Sequence, residues 1–344
     1  MFLTIDDAKA ELSEYFDPPQ VEMFLPLLEP VVALVAASDA APGTSQIGGR
    51  PKAGPDFNWP AVAADKLWSE TLDAGTPEVN AANRAHLKAG IPMTFLASVD
   101  LQTASAIPQL APLPDQGHLL FFYDFAIGPY ENGDQVGRVI WDQGEGPRAE
   151  IAPSDALIAA ADGMREETRA LAAQYGGDED WDGFGTIFEI AARPAVLVTG
   201  FDLPAPHAMP EDLSPDLARL FGGGEDLSDD ELDTASLYED AFYQSGEAAP
   251  VPLRLLSFAI PVQDDPLREV GVLNTFGHRV LADEQQAGVN DMIANEAQRW
   301  VLLAQVDVAA WLQQSAEGQI YIVIRKDDLA AGRFDRVNFV YQQS

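Results

Sequence analysis

The chain has 344 residues, 47% of them apolar, so it can bury a sizeable core, and 55 acids against 20 bases give a formal net charge of −35. A surface this acidic repels phosphate backbones and anionic headgroups, which argues against nucleic acid and membrane surfaces as partners and favours cations and basic proteins. The absence of cysteine excludes disulfides, thiolate zinc sites and cysteine nucleophiles.

From the N-terminus, residues 4–16 predict a helix, with Thr4 and Asp6 as caps and Pro18-Pro19 as the stop. The first seven residues carry no basic segment of the kind that opens a signal peptide, so the expected location is cytoplasmic. Residues 19–37 read as a second helix, kinked at Pro26 and Pro30. Those prolines and the acids Glu22 and Glu29 leave this stretch too interrupted to span a bilayer, which takes about 20 apolar residues. Next comes a tight loop at residues 45–51, with Gly48-Gly49 placed for positive φ, and then Trp59-Pro60. Residues 61–90 are partly helical in pattern. Strand signals follow at residues 93–101, 118–123 and 138–141.

Residues 150–250 change in character, with 23 acids and 4 bases, about half of the net negative charge. Ser154 caps a predicted helix over 154–175, Ser228 with Glu231 forms a capping box for one over 229–244, and residues 196–198 read as a strand between them. Strands return at 252–262, 299–308 and 319–325, and residues 337–341 read as an edge strand.

Two stretches resemble each other. Residues 95–101 (Phe-Leu-Ala-Ser-Val-Asp-Leu) parallel residues 302–308 (Leu-Leu-Ala-Gln-Val-Asp-Val), and each is followed by a polar loop, a turn glycine (Gly117, Gly318) and a strong strand. The expected fold is therefore α+β and internally duplicated: mostly antiparallel β units, N-terminal helices and an acidic helical insertion. The expected division is N-terminal helices in 1–40, a first β repeat in 41–150, the insertion in 151–250 and a second β repeat in 251–344. Residues 41–344 would then form one pseudo-duplicated domain, since two half-open units bury their apolar faces together.

The loop Ser45-x-x-Gly48-Gly49-x-Pro51 followed by Trp59-Pro60 resembles a signature of the YwqG-like proteins, a bacterial family built on a domain of unknown function. Residues 95–101, Leu113-Pro114-x-x-Gly117, Leu120-Phe121-Phe122, His278-Arg279-Val280-Leu281, residues 300–307 and residues 318–321 extend the likeness. It departs after Leu281, where Ala282-Asp283-Glu284 replaces the usual Gly-Tyr-Pro. The resemblance implies an α+β fold with internal duplication and no established activity. Some relatives are similar to proteins placed near contact-dependent toxins and their antidotes.

Three groups of residues are candidate sites. Residues 178–189 fit the Asp-x-Asp-x-Asp-Gly-x5-Glu calcium loop, with Asp178, Asp180, Asp182, the Phe184 carbonyl and Glu189 as ligands. Acids crowd this region, so the competing reading is a solvated loop. The Gly48-Gly49-Arg50 loop, with Trp59 beside it, could cradle an anion through N–H groups and the Arg50 guanidinium. Gln305 and Asp307, with Arg50, His278 and Arg279, could line a site between the repeats. The four histidines lack the paired spacing of a zinc site, and no Gly-x-Ser-x-Gly elbow marks a serine nucleophile. The leading expectation is a non-enzymatic binding protein that recognises a basic protein, antitoxin- or immunity-like, through its acidic surface. The alternatives are a small-ligand binder or enzyme with its site between the repeats, and a calcium-modulated scaffold.

Overall fold

The computed structural model describes every residue except 39–42, 56, 69, 145, 147, 176–184, 211–212, 222–226, 249, 278–287, 315 and 344. Its strands are β1 (Glu29–Ala36), β2 (Ser45–Ile47), β3 (Lys52–Ala53), β4 (Thr94–Asp100), β5 (His118–Tyr123), β6 (Gly137–Asp142), β7 (Ala149–Glu150), β8 (Arg193–Asp202), β9 (Leu253–Leu255), β10 (Trp300–Asp307), β11 (Gln319–Arg325) and β12 (Asn338–Gln342). Among the described residues ten of them form one sheet in the order β12–β11–β10–β9–β1–β8–β2–β4–β5–β6, and β3 pairs with β7 alone. The fold is α+β, and the described sheet pairings are antiparallel.

The sheet curls until its ends nearly meet. Beside the start of β6, Gly133 donates its N–H to the Phe339 carbonyl of β12 at 2.8 Å and accepts the Phe339 N–H at 2.9 Å. This single bridge leaves the sheet nearly closed and covers part of the β12 edge. Alternate residues of the strands face inward and fill the interior, including Leu34, Val99, Phe121, Ile322 and Phe339, all fully buried. Burying each such side chain contributes about 1.5–3 kcal/mol.

The strand order splits around β1 and β8, and the two halves correspond in register. In one half Gln46 of β2 faces Ser98 of β4; in the other Arg254 of β9 faces Gln305 of β10. The register shifts between Phe95 and Ala97 in β4, and between Leu302 and Ala304 in β10. Asp100 and Asp307 each cap the short helix that follows, Leu101–Ala104 and Val308–Leu312. The Leu101 N–H meets the Gly117 carbonyl at 3.0 Å, and the Val308 N–H meets the Gly318 carbonyl at 3.1 Å.

Residues 1–40 differ from their expected all-helical pattern. The second helix runs only Pro18–Phe24, and β1 follows. Pro26 lies in a single 3-10 turn, after which the β-branched Val31, Val32 and Val35 favour the strand. Residues 151–250 supply the helices Asp155–Tyr175, Pro215–Phe221 and Asp229–Ala248, but also β8 in the middle of the sheet. The N-terminal helices pack on the last two of these through Leu12, Phe24, Leu217, Leu220 and Tyr238. The predicted strand over 252–262 shrinks to β9, because Leu256 adopts a left-handed φ of 42° and turns the chain out of the sheet. No helix among the described residues is long and apolar enough to cross a membrane.

Candidate functional site

A row of residues on the outer face of the sheet starts the site. Arg254, Gln305, Tyr321 and Val340 are cross-strand partners, so they share one face. Their chain neighbours Leu253, Leu255, Val306 and Ile320 point into the barrel.

Gln305 is 1% exposed, and its amide is fully used. It accepts the Ile260 N–H at 3.0 Å and donates to the Ile260 carbonyl and to Gln319 Oε1, both at 3.0 Å. Gln319 in turn donates to Asp307 Oδ2 at 2.8 Å, while Asp307 Oδ1 takes the Ala310 N–H at 2.8 Å. The Tyr321 hydroxyl donates to the Ile260 carbonyl at 2.9 Å and accepts the Val262 N–H at 3.1 Å. Together these bonds strap residues 260–262 over β10 and β11. A buried polar network satisfied to this degree is rigid.

Beside the strap lies a cleft of about 850 Å³. Arg254, Gln305, Asp307 and Gln319 lie along it, with Arg193, Asp202, His207, Gln313 and Gln314 around them and Leu203, Phe242 and Val251 as apolar wall. Arg254 donates Nε to Asp202 Oδ2 at 2.8 Å, both side chains under a tenth exposed. Asp202 also holds the Met1 ammonium at 3.0 Å. The His207 ring N–H donates to the Pro261 carbonyl at 3.0 Å. Arg193, half-buried at the start of β8, donates Nη2 to the Trp311 carbonyl and pairs with no carboxylate among the described residues. Burial pushes its pKa below the usual arginine range. Gln313 ends its helix at a left-handed φ of 58°, unusual for a residue with a side chain.

Among the described residues no serine, threonine or lysine lines the cleft, and the described contact of the one histidine is a carbonyl.

The predicted site residues separate. Gln305 and Asp307 lie in the cleft. Gly48 and Gly49 take φ of 60° and 70° as expected, but their N–H groups donate to the Leu96 and Ile190 carbonyls at 2.8 and 3.0 Å rather than facing a ligand. Arg50 meets Glu150 at 3.5 Å on the surface. The Trp59 indole donates to the Met93 carbonyl at 2.7 Å and packs on Phe57 and Phe122, as core over β4 and β5. His278, Arg279, Asp178, Asp180, Asp182 and Phe184 lie outside the described residues. Glu189, the last residue of the calcium-loop pattern, pairs with Arg165 at 3.3 Å.

Sequence reasoning missed Arg193, Arg254, Gln313, Gln314 and Gln319. Two signals pointed to them: Arg193 is one of four bases in the acidic segment, and Arg254 interrupts the apolar run 251–256.

A family model described as domain of unknown function (DUF1963) matches residues 45–342. No curated protein matches the chain.

Proposed function

Since the chain belongs to the DUF1963 family, whose description names no activity, we propose from its site that it is a non-enzymatic small-ligand-binding protein using the cleft over β9 and β10. One observation carries this reading: a cleft of about 850 Å³ floored by side chains already locked in a hydrogen-bonded network. Ligand sites are typically about 300–1,000 Å³, concave, and combine apolar walls with a few fixed polar groups. Preorganisation lowers the ordering cost of binding. Screening a fragment library by saturation-transfer NMR tests it. Hits should vanish in Ala309→Trp, which fills the cleft; hits that persist there place binding elsewhere.

The matched registers, bulges and capping aspartates of the two half-sheets support a further part of the proposal: the sheet derives from two copies of one β unit. The likeness to YwqG-like proteins agrees with that history.

A second reading, recognition of a basic protein in an antitoxin- or immunity-like role, is favoured by the helix Asp229–Ala248. It exposes Leu232 at 50% and Tyr243 at 51%, on a surface that also carries Asp233, Glu239 and Asp240. Apolar groups framed by acids suit a cationic partner whose association weakens with salt. A basic protein captured at low salt, released at high salt and lost with Leu232→Lys and Tyr243→Lys would support it. Capture unchanged by these substitutions would discard this surface.

A further inference from the structure

Two groups in the cleft lack the partners their burial calls for. Arg148, Arg254 and Arg325 each meet a carboxylate, at Asp142, Asp202 and Glu296. Arg193 instead meets the neutral carbonyl of Trp311. A carbonyl does not balance a desolvated charge, and a guanidinium offers five donors in a fork that fits a carboxylate with two parallel bonds. The second group is Gln314, whose Nε2 donates to the Gly185 carbonyl at 3.4 Å. Its Oε1 is buried with no hydrogen-bond partner among the described residues. An amide oxygen in that state calls for an N–H donor.

Both residues line the cleft, and both attach to the same short helix: Arg193 through the Trp311 carbonyl, and Gln314 two residues beyond its end. We infer that the cleft takes a ligand carrying a carboxylate close to an N–H group, with Arg193 holding the carboxylate and Gln314 Oε1 receiving the N–H. This rests on the small-ligand reading above. Asp307 in the same cleft, held by the neutral Gln319 amide and Ala310 N–H, opposes a doubly charged group, so a monoanionic carboxylate fits better than a phosphate. Phe242, Val251 and Leu203 supply the wall for an apolar substituent. An acylated amino acid and the end of a peptide share this chemistry.

The test compares N-acetylphenylalanine with its methyl ester, which keeps the N–H and the ring but loses the charge. Binding is followed by saturation-transfer NMR on the full chain. The acid should bind about tenfold more tightly than the ester. Arg193→Gln should remove that difference, Gln314→Leu should weaken both ligands, and Arg50→Gln, outside the cleft, should change neither. Acetyl-Ala-Ala-Phe separates the two sources: tighter binding than the single residue marks a chain end, and weaker binding marks a free acylated amino acid.

Equal binding of acid and ester to the wild-type chain overturns the inference, whether or not the Arg193 variant folds. If both also disappear in Ala309→Trp, the cleft reading survives that loss. If the acid, the ester and the uncharged fragment library all fail to bind, both readings fall.

Discussion

The Trp311 indole nitrogen donates to the Leu96 carbonyl at 2.8 Å, joining residues 215 positions apart. Leu96 lies at the register shift of β4, and its carbonyl also takes the Gly48 N–H at 2.8 Å. In the other half, Leu303 lies at the register shift of β10 and takes the Leu256 N–H at 3.1 Å. Trp311 therefore pins the helix of the second half to the bulge of the first. Trp311→Phe keeps most of the ring and leaves Leu96 with one remaining donor, so it should cost only about 1–2 kcal/mol. The midpoint of urea unfolding reads this directly, and an unchanged midpoint would show the bond to be dispensable.

Arg254→Met should be costlier, because it removes the guanidinium from Asp202 in a buried setting. Breaking such a pair costs about 3–5 kcal/mol. The Met1 ammonium at 3.0 Å still faces Asp202, which places the loss at the low end, about 3 kcal/mol. Removing both partners in Arg254→Met with Asp202→Leu should recover part of that loss, as a double-mutant cycle would measure.

Glu269 gives a pH dependence with a definite sign. Burial, helped by Asp264 and Asp265, outweighs hydrogen bonds from Gln342 and Asn132 and pushes its pKa from 4.5 to about 7. The folded state then binds a proton that the unfolded state releases. This group's contribution is full below pH 4.5 and is lost as pH rises through 7. Glu269→Gln should remove that slope, so the variant gains stability over wild type as pH goes from 5 to 8, by at most about 3 kcal/mol. A constant difference between the two across that range would refute it.

Gly48→Ala tests the tight loop. The backbone has φ of 60°, and an added Cβ would lie 2.1 Å from Ile190 Cγ1, in the packed interior. Left-handed strain and overpacking together should cost about 2–3 kcal/mol. Thermal unfolding would register this as a lower Tm, and Gly90→Ala, where φ is 65° and no atom lies within 4 Å of the new Cβ, isolates the strain alone.

The strongest strands were legible because they are apolar on both faces. The predicted runs 118–123 and 319–325 coincide with β5 and β11, and 299–308 differs from β10 by one residue at each end. The capping signals of the acidic segment held: Ser154 caps through the Leu157 N–H at 3.2 Å, and Glu231 accepts the Ser228 N–H at 2.8 Å; at the N-terminus Thr4 caps as expected, but its partner in the capping box is Asp7 rather than Asp6. Residues 29–36 were misread because a short apolar run has no period that separates a buried strand from a buried helix. The β8 strand was seen only as its apolar centre, since Thr199 and Asp202 do not look like the middle of a sheet. In the cleft, Gln305 and Asp307 were visible through the internal likeness of residues 95–101 and 302–308. Arg193 and Gln314 belong to different segments, and only the sheet order brings both to the same cleft.

That order also sets when the chain can finish folding. As the polypeptide leaves the ribosome, β1 appears early, yet its two neighbours are β8 and β9, ending at residues 202 and 255. At roughly 5–20 residues per second, β1 waits on the order of ten seconds or more with both edges open. For that interval the nascent chain exposes an apolar strand with two edges free to pair wrongly.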